Sequence, residues 1–454
     1  MKRILLLVPD GIGIKNYLYS DVFKNSEMEV SLFHNFDDDT LSHISRQVDI
    51  KASVVIPKYT ESIREKFLRE LIHLSRLRFN AKHVENPTIL KFWKRSHKSL
   101  KLKIFYAAIR LSARSVRSYG HIEALELYYE LALQKNPFYQ QITTILKAAA
   151  PTRIFCTHQR ALVAPTIFKA ARDLGILTST VIYSWDNIPK ARLALRSDTY
   201  LVWSDHMKEE LHTFYPDIPL DQILITGTPQ FEFYKDPKNI YDKDEFFRKY
   251  GLDENKMLIC FSGDDVKTSP YDPEYLDDFA TQITLEGRAE DFQIIFRRCP
   301  VDLSGRYDWV LDKFPNLIVD MPPLWNFNSK KWTAVYPTFE DVKLLVSLAF
   351  YADVVVNVGS TMAFDFGMFD KPCIYINYDH KKDPNWSVDT IYQYQHFRSM
   401  PSKKAVFWLP SASEIIPLLD TVKADNTTQL KQWLKVVVSD PESASENIKK
   451  LILK

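Results

Sequence analysis

At 454 residues, 46% of them hydrophobic and 26% charged, the chain exceeds one ordinary core and has the composition of a soluble globular protein of two or three domains. Its 59 Lys and Arg nearly balance 57 Asp and Glu, leaving +2, so no overall field argues for nucleic acid and any polyanion site must be local. Cys156, Cys260, Cys299 and Cys373 show neither a disulfide framework nor metal-ligand spacing, a usage that fits a reducing cytoplasm.

The chain opens Met1-Lys2-Arg3, and an apolar run over residues 4–8 then stops at Pro9-Asp10. That is too short for a signal core and reads as a buried first strand. No run approaches the roughly eighteen apolar residues of a membrane-spanning helix, so membrane contact is expected to be peripheral. Further short apolar strands are expected at 30–33, 52–56, 153–156, 179–183, 200–203 and 223–226. Gly227-Thr228-Pro229 and a polar, aromatic stretch to about Lys256 read as a linker. Strands resume at 257–261, 293–296, 317–319, 353–358 and 373–377. Strands alternating with helices predict two Rossmann-like α/β domains, 1–235 and 236–430. A C-terminal helix at 431–454 either finishes the second or packs back on the first.

Residues 60–150 hold an insertion of helical pattern in the first domain. Between Glu85 and Glu123 there is no acidic residue, while Lys91, Lys94, Arg95, Lys98, Lys101, Lys103, Arg110, Arg114 and Arg117 crowd the stretch, with Phe92, Trp93, Phe105 and Tyr106 interleaved. No nucleic-acid motif accompanies them. Cations among aromatics suit an anionic membrane surface, with Lys94, Arg95, Lys98 and Lys101 as contacts. A solvated helix face is the plain alternative.

The most informative stretch is 352–365, Ala-Asp-Val-Val-Val-Asn-Val-Gly-Ser-Thr-Met-Ala-Phe-Asp. An apolar strand ends in Gly359-Ser360-Thr361 and a helix begins at once. Gly359 admits close backbone approach, and the open N–H groups and helix dipole suit a diphosphate. Asp365, one turn on, is placed to accept ribose hydroxyls. The plain reading of Ser360 is an N-cap.

Residues 353–378, with Lys371-Pro372 before the next strand, resemble the donor-binding unit of GT-B glycosyltransferases. They are most similar to the branch that includes the CDP-glycerol glycerophosphotransferases. Val202-Trp203-Ser204 and Ile225-Thr226-Gly227-Thr228-Pro229 resemble the end of the first GT-B domain and its linker. The resemblance implies transfer of a sugar from a nucleoside-diphosphate sugar, bound by the second domain, to a glycan or lipid-linked glycan held by the first. The nucleotide sugar is then the substrate, and no cofactor and no metal are expected. A polyol-phosphate transferase, a sugar-nucleotide epimerase on the same double fold and a non-catalytic nucleotide-binding scaffold are the rivals.

On that reading Gly263, in Ser262-Gly263-Asp264-Asp265, lines the donor loop, and Arg297 and Arg298 end a strand where nucleotides bind. Strand alternation predicts that only one arginine meets phosphate. The related transferases carry His before the following Pro, where this chain has Cys299. Asp264-Asp265 and Asp37-Asp38-Asp39 invite a metal reading that the resemblance does not favour. An inverting transferase needs a general base, and Asp10, His158 and Asp186 each follow an expected strand. Asp10 is preferred among them. Trp185 and Asn187 suit acceptor recognition.

Overall fold

The computed structural model describes residues 1–11, 13–24, 27–46, 48–93, 99–327, 335–422 and 427–454. Runs such as Ile4-Leu5-Leu6-Leu7-Val8 are apolar on both faces and need cover from both sides, which parallel sheets between helices provide. The first sheet holds β1 (Lys2–Val8), β2 (Met28–His34), β3 (Ala52–Val55), β4 (Arg153–Cys156), β5 (Leu177–Val181), β6 (Thr199–Val202) and β7 (Ile223–Ile225). Their order is β3-β2-β1-β4-β5-β6-β7, parallel throughout. The second domain contributes β8 (Met257–Ser262), β9 (Phe292–Arg297), β10 (Ile318–Asp320), a hairpin of β11 (Trp325–Asn326) and β12 (Tyr336–Pro337), then β13 (Val354–Asn357), β14 (Cys373–Ile376) and β15 (Phe407–Leu409). Its main sheet runs β10-β9-β8-β13-β14-β15, also parallel.

The expected alternation therefore gives two Rossmann-like domains. β5 starts and ends two residues earlier than expected, since Leu177 and Thr178 pair with Arg153 and Ile154 of β4 while the apolar Ile182 and Tyr183 lie beyond the strand. β15 and the hairpin were not expected. Strands of two or three residues are too short to show a period.

Between β3 and β4 lie helices Ile63–His83, Leu100–Ala113, Tyr119–Gln134 and Pro137–Ala149. The first opens on a capping box, in which Ser62 Oγ accepts the Glu65 N–H at 3.2 Å and the Glu65 carboxylate accepts the Ser62 N–H at 2.5 Å. Residues 84–92 then bridge to the second domain. Asn86 Nδ2 donates to Gln393 O (3.1 Å) and Gln395 Oε1 (3.0 Å), and Arg398 Nη1 donates to Val84 O (2.7 Å). Tyr19 of the first domain likewise donates to Pro337 O of the second at 3.0 Å. The C-terminal helix Ala444–Leu453 packs beside the first domain and linker: the Ser445 N–H donates to Glu232 at 2.7 Å, and the Ser439 N–H to Trp203 O at 3.1 Å.

Among the described residues no helix is long and apolar enough to cross a membrane. Strand order reverses between β1 and β4 in one sheet and between β8 and β13 in the other. In open parallel sheets ligands bind beyond the strand C-termini at such points.

Candidate functional site

Between the domains is a cleft of about 720 Å³. The turn after β8 (Gly263, Asp264, Asp265) and the turn after β13 (Gly359, Ser360, Thr361) form one wall, at the second sheet's reversal point. Ser184, Trp185, Asp186 and Lys190, beyond β5, belong to the opposite wall, and Lys15 reaches in from the turn after β1.

At the turn after β13 the backbone is already partly committed. The Ser360 N–H donates to Asn357 Oδ1 (2.7 Å) and the Met362 N–H to Ser360 Oγ (3.3 Å), so Ser360 takes up the first N–H of the helix Met362–Gly367 from the position before its N-cap, Thr361. Gly359 has φ of +71°, and a Cβ there would lie 2.8 Å from Phe397 Cζ. Glycine is thus required by backbone conformation and by an aromatic neighbour. Gly359→Ala should lower stability by about 1–3 kcal/mol, from strain and overpacking, read as a fall in the denaturant midpoint at unchanged slope. Gly263 is also held by packing, since a Cβ would meet the Tyr307 hydroxyl at 2.5 Å.

Both arginines line the cleft, against the alternation argument, because β9 ends at Arg297 and Arg298 lies past it. Each carries a carboxylate partner. Arg297 Nη2 meets Asp341 at 2.8 Å in a buried pair, and Arg298 Nη2 meets Asp320 at 2.6 Å. Arg297 Nη1 and Arg298 Nε have no hydrogen-bond partner among the described residues. Asp365 also lines the cleft, but Tyr234 donates to its Oδ1 at 2.7 Å. Burial raises the Asp365 carboxyl, with Lys15 opposing.

Lys15 was not singled out from sequence. It is half-buried, makes no salt bridge among the described residues, and faces Asp365, Asp341 and Arg297. Burial lowers its pKa despite the two carboxylates. Asp264 is the second residue not assigned a role. Burial, and then the Asp272 carboxylate, push it up to about 7, while burial pushes Asp272 up to about 6. Asp272 accepts the Asp264 N–H at 2.6 Å. Cys299, beside them, has its thiol pushed up to about 12 by burial and by Asp264, so it is neutral.

On the first-domain wall, burial alone would raise Asp186. Lys190, His396 and the Ser184 hydroxyl outweigh it and hold the carboxylate well below its ordinary range. Its Oδ1 accepts from Ser184 (2.7 Å) and Asn187 (2.8 Å), and its Oδ2 pairs with Lys190. A carboxylate so stabilised is a weak base. Trp185 sits in an aromatic cluster across the domain boundary, with ring centroids 4.6 Å from His396, 5.1 Å from Phe364 and 5.8 Å from Trp433. Burial pushes His396 down to about 4, so its imidazole is neutral, and Nδ1 has no hydrogen-bond partner among the described residues.

Asp10 and His158 meet at the first sheet's reversal point, with Nδ1 to Oδ2 at 2.5 Å, and neither lines the cleft. The glycines after Asp10 serve packing: a Cβ on Gly11 would meet Val335 O at 2.0 Å, and one on Gly13 would meet Thr157 Oγ1 at 2.2 Å. Lys94, Arg95 and Lys98 lie outside the described residues, and Lys101 is exposed. Among the described residues no cluster of three or more His, Cys, Asp or Glu is placed to hold a metal ion.

No protein family model matches this chain, and no curated protein matches it. Solved structures match it over nearly its whole length. The S. aureus MnaA–UDP co-structure is 10% identical, with a TM-score of 0.52 and coverage of 98% of this chain and 94% of that one. UDP-GlcNAc 2-epimerase from Methanocaldococcus jannaschii is 11% identical, with a TM-score of 0.53 and 99% of both chains covered. A putative UDP-N-acetylglucosamine 2-epimerase from Listeria monocytogenes is 10% identical, with a TM-score of 0.53 and coverage of 98% and 94%. At such identity the likeness defines the fold, two Rossmann-like domains of GT-B type.

Proposed function

We propose that the cleft is the active site of an enzyme acting on a nucleoside-diphosphate sugar. The observation that carries this reading is the convergence of Lys15, Arg297 and Arg298 on the cleft beside the turns after β8 and β13, at the reversal point where such sheets bind nucleotides. The diphosphate would lie among these cations, with the sugar turned towards Asp264, Asp186 and His396.

Epimerisation of the sugar on its nucleotide is the reaction best supported. At the carbon next to the anomeric centre it requires a base to take the proton as the nucleoside diphosphate leaves, and an acid to return one to the opposite face as the diphosphate adds back. Asp264, poised near neutrality, borders the cleft and can take or return a proton there, and His396, a neutral imidazole on the same cleft, can hydrogen-bond the sugar. The UDP-GlcNAc 2-epimerases compared above share the fold over nearly the whole chain, which agrees with this reading. Sugar transfer to a glycan or lipid-linked glycan is the second reading, favoured by the motif resemblance of residues 353–378.

A panel of UDP-, CDP-, GDP- and dTDP-sugars with CDP-glycerol, analysed for products, separates them. Epimerisation returns an isomerised sugar nucleotide. Transferases release nucleotide and sugar slowly without acceptor, and a polyol-phosphate enzyme consumes CDP-glycerol. Every donor recovered unchanged, and no nucleoside diphosphate bound, would sink all three.

The helix Leu100–Ala113 supports a peripheral membrane site. Tyr106, Ile109 and Ala113 face inward, while Leu100 (71% exposed), Ile104 (62%) and Leu111 (66%) form an outward apolar row beside Lys101, Lys103 and Arg110. An interfacial helix has this arrangement, each basic residue near an anionic leaflet adding about 1 kcal/mol. The chain should sediment with vesicles containing phosphatidylserine and be released at high salt. Changing Leu100, Ile104 and Leu111 to Ser should abolish sedimentation without altering UDP affinity. Wild type left in the supernatant at low salt would reduce the stretch to a solvated face.

A further inference from the structure

A second cavity, of about 270 Å³, lies inside the first domain and is separate from the cleft. Helices Ile63–His83 and Tyr119–Gln134 form one side, and the turn after β4 with residues 191–194 forms the other. Half of its lining residues are apolar, Ile72, Leu162 and Leu193 among them, and four are arginines, with Glu126 the carboxylate among the rest.

The charges there do not all cancel. Arg69 is held by Glu61 at 2.6 Å and Glu70 at 3.0 Å, and Arg76 is paired with Glu126 at 2.9 Å. Arg160 has no carboxylate within salt-bridge distance among the described residues. Its Nη1 donates only to neutral groups, Asn187 Oδ1 at 3.0 Å and the Tyr183 hydroxyl at 3.3 Å. A half-buried guanidinium with no counter-charge, next to apolar walls, favours an anion that brings an apolar body.

The cavity and the cleft share one partition, residues 184–194. Its first part, Ser184 to Asp186 with Lys190, faces the cleft, and its last part faces the cavity. Two hydrogen bonds cross it. Arg160 holds Asn187, whose Nδ2 holds the cleft residue Asp186 at 2.8 Å, and His73 of the cavity meets Lys190 O at 2.9 Å. At the bend Ala191 has φ of +52°, a conformation that residues with a side chain rarely adopt and that surrounding structure must impose. An anion that takes the Arg160 guanidinium competes with Asn187 for it, and so reaches Asp186.

We propose that this cavity is a second ligand site, for a small amphiphilic anion whose single phosphate or carboxylate head sits on Arg160, and that its occupancy alters the cleft through residues 184–194. The inference does not depend on which reaction the cleft performs.

Titration calorimetry of the full chain tests it, with octyl phosphate, octanoate, inorganic phosphate and octanol as probes. Octyl phosphate or octanoate should bind one site per chain in the presence of saturating UDP, and at least tenfold more tightly than inorganic phosphate or octanol. Which head binds better identifies the source of the charge. Arg160→Gln, shown to be folded by its circular dichroism and melting temperature, should weaken binding at least tenfold, and Arg160→Lys should weaken it less. Octyl phosphate should also change UDP affinity at least threefold, with UDP changing octyl phosphate affinity by the same factor. Equal binding by Arg160→Gln, displacement by UDP, or no binding of either amphiphile overturns the site. Unchanged UDP affinity at saturating amphiphile overturns the coupling. If UDP itself fails to bind, the nucleotide reading of the cleft fails, while amphiphile binding and its loss in Arg160→Gln still decide the cavity.

Discussion

Asp264→Asn should lower turnover by about 10²–10⁴-fold while leaving nucleoside-diphosphate affinity within a few-fold of wild type. The residue stands after β8, on the cleft wall that holds the turn after β13, with its carboxyl raised from 3.8 to about 7 by burial and by Asp272. Asparagine keeps the shape and removes the titration. Because Asp264 and Asp272 interact, the wild-type rate should follow a limb near neutrality that belongs to the pair, and the limb should vanish in the variant. Stability supplies a second readout. A carboxyl whose folded pKa is raised contributes stability that is fully present below the unfolded value, near 3.8, and lost as pH rises through about 7. The variant should therefore lose less stability than wild type between pH 4 and 8. Wild-type turnover in Asp264→Asn, with tighter nucleotide binding, would show that the carboxylate only repels phosphate.

The fold was legible because it is written in apolar runs. Twelve expected strands correspond to strands of the two parallel sheets, and the linker punctuation at Gly227-Thr228-Pro229 falls between them. β15 and the hairpin of β11 and β12, of two or three residues each, were not among the expected strands. The candidate site was legible at strand ends and, for Asp365, one helical turn beyond one. Gly263, Arg297, Arg298 and Gly359 to Thr361 all reach the cleft. Their surroundings were not legible, since those depend on residues far away in sequence: the ion pair of Arg297 with Asp341, the hydrogen bond of Asp365 with Tyr234, the packing of Phe397 against Gly359. Asp10, preferred as a base for its position after β1, proved to be engaged with His158, 148 residues on. Asp264 was read only as half of an acidic pair, because its unusual protonation comes from burial and from Asp272. A sequence shows neither.

Lys15 gives the other large effect. From the turn after β1 it enters the cleft opposite Asp341, Asp365 and Arg297, and it is a cation there without a salt bridge of its own among the described residues. Arg297 and Arg298 already spend charge on Asp341 and Asp320, so a bound diphosphate would draw much of its neutralisation from Lys15. It would also be gripped from both domains at once, which couples binding to the domain arrangement. Lys15→Met, close in length and without charge, should cost about 1.5–3 kcal/mol of nucleoside-diphosphate affinity, roughly 10–150-fold, the scale of a charged hydrogen bond. The pH dependence follows from the burial that lowers its pKa. In the free protein the ammonium loses its proton at a lower pH than an exposed lysine, and a diphosphate beside it favours the charged form. Binding should then take up a proton on the alkaline side, seen as a buffer-dependent calorimetric enthalpy, and affinity should fall as pH rises. Neither should occur in Lys15→Met. Equal nucleotide affinity in the two proteins across that range would place the diphosphate away from Lys15, on the arginines of the second domain alone.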